Sequence, residues 1–160
     1  MSIIIGNVGR RSDRWGEKGD PTDVGEFTLN GFEKNLLFWN QGGGVYHDVA
    51  FLSGSNCVED SRSLAIADFD RDGRLDFLVN HRNRPAALLM ASGGSGHWLQ
   101  LELVGTKSNR DAAGARVFIE AGGKQQSSQV ALGRGYLSCS SLVQHFGLGA
   151  VTIVDRIEIR

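Results

Sequence analysis

"SLAIADFDRDGRLDFLVN" covers residues 63–80, and its reading decides what kind of chain this is. Four aspartates, Asp68, Asp70, Asp72 and Asp76, fall within nine positions, with Gly73 among them. The flanks "SLAIA" and "LDFLVN" are short apolar runs of strand length, too short for helices. Like charges packed this closely repel unless a cation neutralises them or the chain holds them in place. Strand, acidic turn, strand is therefore the expected unit.

The spacing D-x-D-x-D-G is how a helix–loop–helix calcium loop begins, with oxygens at alternate positions and Gly at the sixth for the sharp turn. That loop then needs a bidentate Glu at position twelve, flanked by helices. Here position twelve is Val79, and both flanks read as strands, so that reading fails. The fourth carboxylate comes at position nine, Asp76. A hard divalent ion taking 6–8 oxygen ligands, Ca²⁺, suits such a turn. The expected ligands are the side-chain oxygens of Asp68, Asp70, Asp72 and Asp76 and the backbone carbonyl of Arg74, with water completing the shell. The competing reading is a solvated acidic turn offset by Arg71 and Arg74.

The rest of the chain reads the same way. Gly is 22 of 160 residues and Pro only 2, which suits many tight turns. "HWLQLELV" alternates, with Leu99, Leu101 and Leu103 on one face and Gln100 and Glu102 on the other. "DRIEIR" alternates too, with Ile157 and Ile159 against charged neighbours. "GARVFIEAGGKQQSSQV" predicts a hairpin turning at Gly122 and Gly123. No long segment has 3.6-residue periodicity.

Charge and composition exclude several classes. Lys plus Arg is 17 and Asp plus Glu is 18, so nothing points to nucleic acid or an anionic membrane as partner. No apolar stretch approaches the roughly 20 residues of a membrane span. "MSIIIGNVGRRSDRW" is apolar and then basic, the reverse of a signal peptide, so none is expected in this chain. Cys57 and Cys139, the only two cysteines, are expected to be free thiols.

Three stretches lack strand character: 6–34, 53–62 and "ASGGSG" at 91–96. The first carries Arg10, Arg11 and Arg14 beside Trp15; a loop of that length is either a recognition element or, the favoured reading, an ordinary interblade excursion. The last reads as a linker, giving expected domains at 1–91 and 92–160. "NLLFWNQGGG" (35–44) and "AALLMASGGSG" (86–96) are alike at a spacing of roughly 50, in the range of propeller blades.

With these motifs in hand, a resemblance follows. The D-x-D-x-D-G-x-x-D turn between strands resembles the Ca²⁺ loop of FG-GAP/VCBS-type propeller repeats. "LLFWNQGGGVYHDVA" and "ADFDRDGRLDFLV" match that repeat region. "GTKSNRDAAGARV", "GYLSCSS" and "HFGLG" within 97–160 are similar to the ASPIC/UnbV domain, which follows such repeats. The resemblance implies an all-β protein: a partial β-propeller-like unit with one Ca²⁺ loop, followed by a small β-sandwich or barrel. It also implies an extracellular or cell-surface location. The family's repeat region is longer than this one, so the chain is expected to be a fragment, with material for one blade and part of another.

The residues offer little for catalysis. His47, His81, His97 and His145 are scattered without zinc-like spacing. No nucleophile elbow or phosphate loop is present; Cys139 with His145 reads better as a small strand residue and a histidine beside a turn. The expected function is a calcium-stabilised binding or adhesion module without catalytic activity, its ligand an unknown protein or glycan. The alternatives are a structural accessory domain packing on a larger partner, and a metal-dependent hydrolase, for which no general base stands outside the loop. A blade normally buries both faces, so the apolar positions Leu36, Phe38, Leu64, Ile66, Phe77 and Val79 need a cover, either the C-terminal domain or another copy of the chain, and of the two self-association into a homo-oligomer is the expected one.

Overall fold

The computed structural model describes residues 3–6, as backbone, and 34–160. The arginines and Trp15 of the candidate recognition loop lie outside the described residues. What is described is all-β, with one four-residue helix, α1 (Ala50–Ser53).

The chain divides into two compact units, one of residues 1–62 and 79–87, the other of residues 63–78 and 88–160. The first unit holds an antiparallel sheet of β1 (Ile3–Gly6), β2 (Leu36–Gly42) and β3 (Val45–Asp48), with β2 central. Leu37, Ala50 and Val79 are buried here, alongside the polar Asn35, Ser55, Asp60 and His81. Helix α1 stops where Gly54 takes a left-handed φ of 70°, closing the last turn. A second three-stranded sheet has the order β4 (Ser61–Ala67), β5 (Asp76–His81), β6 (Ala87–Leu89). The aspartate turn is the β4–β5 connection.

The second unit carries two further sheets: β7 (His97–Leu101) with β10 (Gln144–Gly149), and β8 (Arg116–Ala121) between β9 (Lys124–Gln129) and β11 (Arg156–Ile159). The β8–β9 hairpin turns at Gly122 and Gly123, both at positive φ, as a tight two-residue connection demands. Burial along β8 alternates: Val117, Ile119 and Ala121 are inside. Phe146 of β10 meets Val117 and Ile119, and Leu99, Leu101, Leu103, Leu148 and Val154 close around them. The leucine face read from "HWLQLELV" is thus one wall of this core. β11 behaves differently. Its alternating isoleucines stand on an edge strand, where Ile157 and Ile159 remain 44% and 54% exposed.

Serine hydroxyls tie two segments of this unit together. Ser138 Oγ accepts the Leu64 N–H at 3.0 Å and Ser140 Oγ accepts that of Ile66 at 3.2 Å. The Ile66 carbonyl accepts the Ser141 N–H at 3.1 Å. The "GYLSCSS" stretch thereby satisfies the edge of β4 without forming a regular strand.

Truncating the central aromatic tests this core. Phe146→Ala should lower unfolding free energy by about 3–5 kcal/mol, whereas Ile157→Ala on the open edge should cost under about 1.5 kcal/mol, read from denaturant melts.

Candidate functional site

The aspartate turn is built by hydrogen bonds from its own backbone. Asp68 Oδ1 accepts the Asp72 N–H at 3.0 Å, and its Oδ2 accepts the Gly73 N–H at 3.0 Å. Asp70 Oδ1 also accepts from Asp72 N, at 3.2 Å. Asp76 is 1% exposed, and both its oxygens take backbone donors: Phe69 N at 2.9 Å and Ala91 N at 2.8 Å. Arg71 and Gly73 adopt positive φ, 62° and 86°, which coils the turn tightly enough for these bonds.

The carboxylates of Asp68, Asp70 and Asp76 converge, each offering an oxygen within 4.8 Å of the others. Asp72 is turned away. Its Oδ1 accepts the Arg74 N–H at 2.9 Å, and its Oδ2 is ion-paired with the Arg74 guanidinium. Arg74 Nε reaches the Ala91 carbonyl at 3.3 Å. Of the four aspartates singled out by spacing, the structure therefore groups three.

Two residues from distant sequence complete the surroundings. Gln100 Nε2 donates to Asp68 Oδ2 at 2.7 Å. His145 Nε2 lies 2.8 Å from the Gly73 carbonyl; a carbonyl only accepts, so this nitrogen carries the proton. The His145 ring stacks on Trp98, centroids 6.4 Å apart and 18° between planes. Trp98 in turn lies against Gly73, where an added Cβ would overlap the indole. The histidine of "HFGLG" thus clamps the acidic turn. The glycines of that motif make a bulge: the register of β10 against β7 shifts between Gly147 and Gly149, and Gly149 has φ 61°. No sequence signal announced the roles of Gln100, Trp98 or His145.

Desolvation, the largest influence on Asp68, works to raise its pKa. The hydrogen bonds from Gly73, Gln100, Asp72 and Arg71 together outweigh it and hold the carboxyl below its ordinary value.

Beside the turn is a cleft of about 250 Å³ lined by Asp68, Gln100, Ser128, Arg134, Gln144 and His145 among others. Typical ligand pockets run from about 300 Å³ upward. Its polar groups are largely satisfied internally: Ser128 Oγ donates to Gln144 Oε1 at 2.6 Å, and Gln144 Nε2 to the Leu142 carbonyl at 2.7 Å. Asn109 closes a turn through both amide atoms on Ala113, at 2.6 and 3.1 Å. Both cysteines are free thiols. The Cys139 thiol faces the Leu132 carbonyl at 3.1 Å while His145 faces Gly73, so the two do not form a nucleophile pair.

A second cluster lies in the first unit, where Cys57, Glu59 and His81 each place one donor atom within 4.8 Å of the others. Sequence spacing did not reveal it. Burial, followed by the charge of Glu59, pushes the Cys57 thiol up, with hydrogen bonds from Asn35 and Ser61 opposing. No helix among the described residues is long and apolar enough to cross a membrane.

Comparison with known proteins finds a family match in each of two segments of the sequence. Residues 24–79 match the FG-GAP-like repeat, and residues 105–160 match ASPIC and UnbV. Cartilage acidic protein 1 of Xenopus tropicalis is 36% identical over 63 residues, 39% of this chain and 10% of that protein. The Mus musculus protein gives the same identity and coverage, and the Homo sapiens protein is 37% identical over 57 residues, 35% of this chain and 9% of its own length. The chain spans about a tenth of the length of these curated relatives.

Two substitutions probe the turn. Gly73→Ala should destabilise the fold by more than about 1–2 kcal/mol, the cost of a left-handed backbone alone, because Trp98 must also move; a chemical melt reads it. The second concerns pH. A folded-state pKa held below the unfolded value gives Asp68 a stabilising contribution above about pH 4, lost as pH falls through the folded pKa. Asp68→Asn should flatten the acid limb of a stability–pH profile and leave its alkaline limb unchanged.

Proposed function

We propose that this chain, an FG-GAP-like repeat match followed by an ASPIC and UnbV match, is a calcium-stabilised binding or adhesion module without catalytic activity, working outside the cell. The observation that carries this reading is the convergence of Asp68, Asp70 and Asp76. Three carboxylates with oxygens this close repel by about 1 kcal/mol per pair in water, and by about 3 kcal/mol at an effective dielectric near 20. Each retains lone pairs that the backbone donors do not fill. An oxygen-only donor set of this charge fits a hard divalent cation of the Ca²⁺ type. The ion would be held by Asp68, Asp70 and Asp76. Asp72 would join only by leaving Arg74, and the Arg74 carbonyl remains a candidate ligand.

What the ion supplies is charge neutralisation in a turn that Gly73, Trp98 and His145 already hold in shape. That supports a structural ion rather than a reacting one. The extracellular location follows from the matched repeat type and from relatives named for cartilage. The ligand is proposed to be a protein or glycan, bound by the module or by an assembly of its copies.

A structural accessory role is the second reading. The internal satisfaction of the cleft's polar groups favours it, since a prepared ligand pocket keeps some donors and acceptors unspent.

Calcium should raise the melting temperature, by mass action on the folded state, worth about 2.7 kcal/mol at a hundredfold excess over Kd. Asp70→Ala should remove the shift, since Asp70 is exposed and serves the fold through its bond from the Asp72 N–H. Arg74→Gln, which releases Asp72, should preserve or enlarge it. Identical melting curves in calcium and in chelator would overturn the calcium reading. A glycan and protein array would then test binding.

A further inference from the structure

The Cys57, Glu59 and His81 cluster belongs to the first unit and owes nothing to the aspartate turn. Cys57 and Glu59 sit on the connection leading into β4, one residue apart, and His81 ends β5. Their donor atoms, a thiol sulfur, a carboxylate oxygen and an imidazole nitrogen, lie within 4.8 Å of one another. His81 is 6% exposed, and its ring is oriented by Ser61, whose Oγ is 3.2 Å from Nδ1. Asn35 packs against the thiol: its Nδ2 is 2.8 Å from Cys57 Sγ, and its backbone N–H donates to the Cys57 carbonyl at 3.0 Å.

Two further features point to a ligand. Asn35 is 2% exposed, yet among the described residues its side-chain Oδ1 has no hydrogen-bond partner. Glu59 Oε2 is likewise buried without a partner. Such orphaned acceptors destabilise the fold unless something meets them. The nearby Asp60 does not share this state, because Arg62 engages both its oxygens at 2.6 Å.

We propose that Cys57, Glu59 and His81 form a binding site for Zn²⁺ or a closely similar borderline-soft divalent ion. Sulfur, nitrogen and carboxylate oxygen together are zinc's donor types, while calcium and magnesium take oxygen alone. Zinc holds such ligands at about 2.0–2.3 Å, so tetrahedral neighbours stand roughly 3.5 Å apart. Side-chain rotations of about an ångström would close the present cluster onto an ion. Three protein ligands leave a fourth position, for water or for the amide oxygen of Asn35. Binding displaces the thiol proton, and no other covalent change is needed. The amide of Asn35 on the sulfur and the hydroxyl of Ser61 on the imidazole form the outer layer that fixes ligand orientation.

The test uses the full chain under a non-thiol reductant, with Co²⁺ as spectroscopic probe and Zn²⁺ as competitor. Bound Co²⁺ should give a thiolate-to-cobalt charge-transfer band at one equivalent, and Zn²⁺ should abolish it. Cys139→Ser should retain the band and Cys57→Ser should lose it. Glu59→Gln should weaken zinc by at least about tenfold. Asp70→Ala should leave zinc binding unchanged, separating this site from the aspartate turn. If Cys57→Ser fails to fold, the Cys139→Ser protein carries the decision: a retained band supports the site, and a lost band overturns it. No cobalt binding, or binding without a charge-transfer band, also overturns the proposal.

Discussion

The aspartate turn sets like charges side by side, and much of the second unit is arranged around that constraint. Asp68, Asp70 and Asp76 converge, and only directed hydrogen bonds keep them together in the polypeptide itself. Backbone N–H groups can all reach inward because Arg71 and Gly73 take left-handed conformations. Gly73 is the critical position: positive φ and the Trp98 indole each exclude a side chain there. His145 then fixes the Gly73 carbonyl, and Gln100 fixes Asp68. A hydrogen bond to a charged group contributes about 1.5–3 kcal/mol, the same order as one carboxylate–carboxylate repulsion in a partly shielded site. The turn is therefore near balance, the condition under which the proposed cation would have large leverage on it.

The sequence made the strands legible and the long-range clamps invisible, for one physical reason. Alternation and turn chemistry are local. Leu99, Leu101 and Leu103 report their shared face, and Gly122–Gly123 reports its turn, from neighbours two or three positions away. His145 meets Gly73 across 72 residues and Gln100 meets Asp68 across 32, and nothing local encodes either meeting. Asp72 illustrates the reverse case. Its spacing is that of a ligand, and in the structure Arg74, two residues on, is ion-paired with its carboxylate. Cys57, Glu59 and His81 escaped notice because the histidine arrives from β5 through strand pairing, outside any recurring zinc spacing. At β11 the alternation reports a strand correctly but not a buried face: on this edge strand Ile157 and Ile159 stay about half exposed.

The serine-rich stretch shows how an apparently featureless motif acquires a role. Ser138 and Ser140 accept from β4, and the Ser138 hydroxyl also donates to the Tyr136 carbonyl at 2.7 Å. A hydroxyl can accept and donate at once, so one short segment satisfies strand-edge donors while folding back on itself. A regular strand there would have satisfied the same edge but would have left its own outer edge exposed for pairing.

These bonds bear on how the two matched segments relate. The FG-GAP-like match ends at residue 79 and the ASPIC and UnbV match begins at residue 105, yet residues 63–78 fall in the same compact unit as 88–160. The reason is visible atom by atom. Leu64 and Ile66 donate to Ser138 and Ser140, Asp68 receives Gln100, and the Gly73 carbonyl receives His145. Half of each pair comes from either side of the "ASGGSG" stretch. Were the C-terminal segment an independent body, its His145, Trp98 and serines would face solvent with no partner to orient them. Placed against the aspartate turn, they convert a local charge problem into a packing surface, and the turn gains its rigidity from side chains that arrive only after the linker.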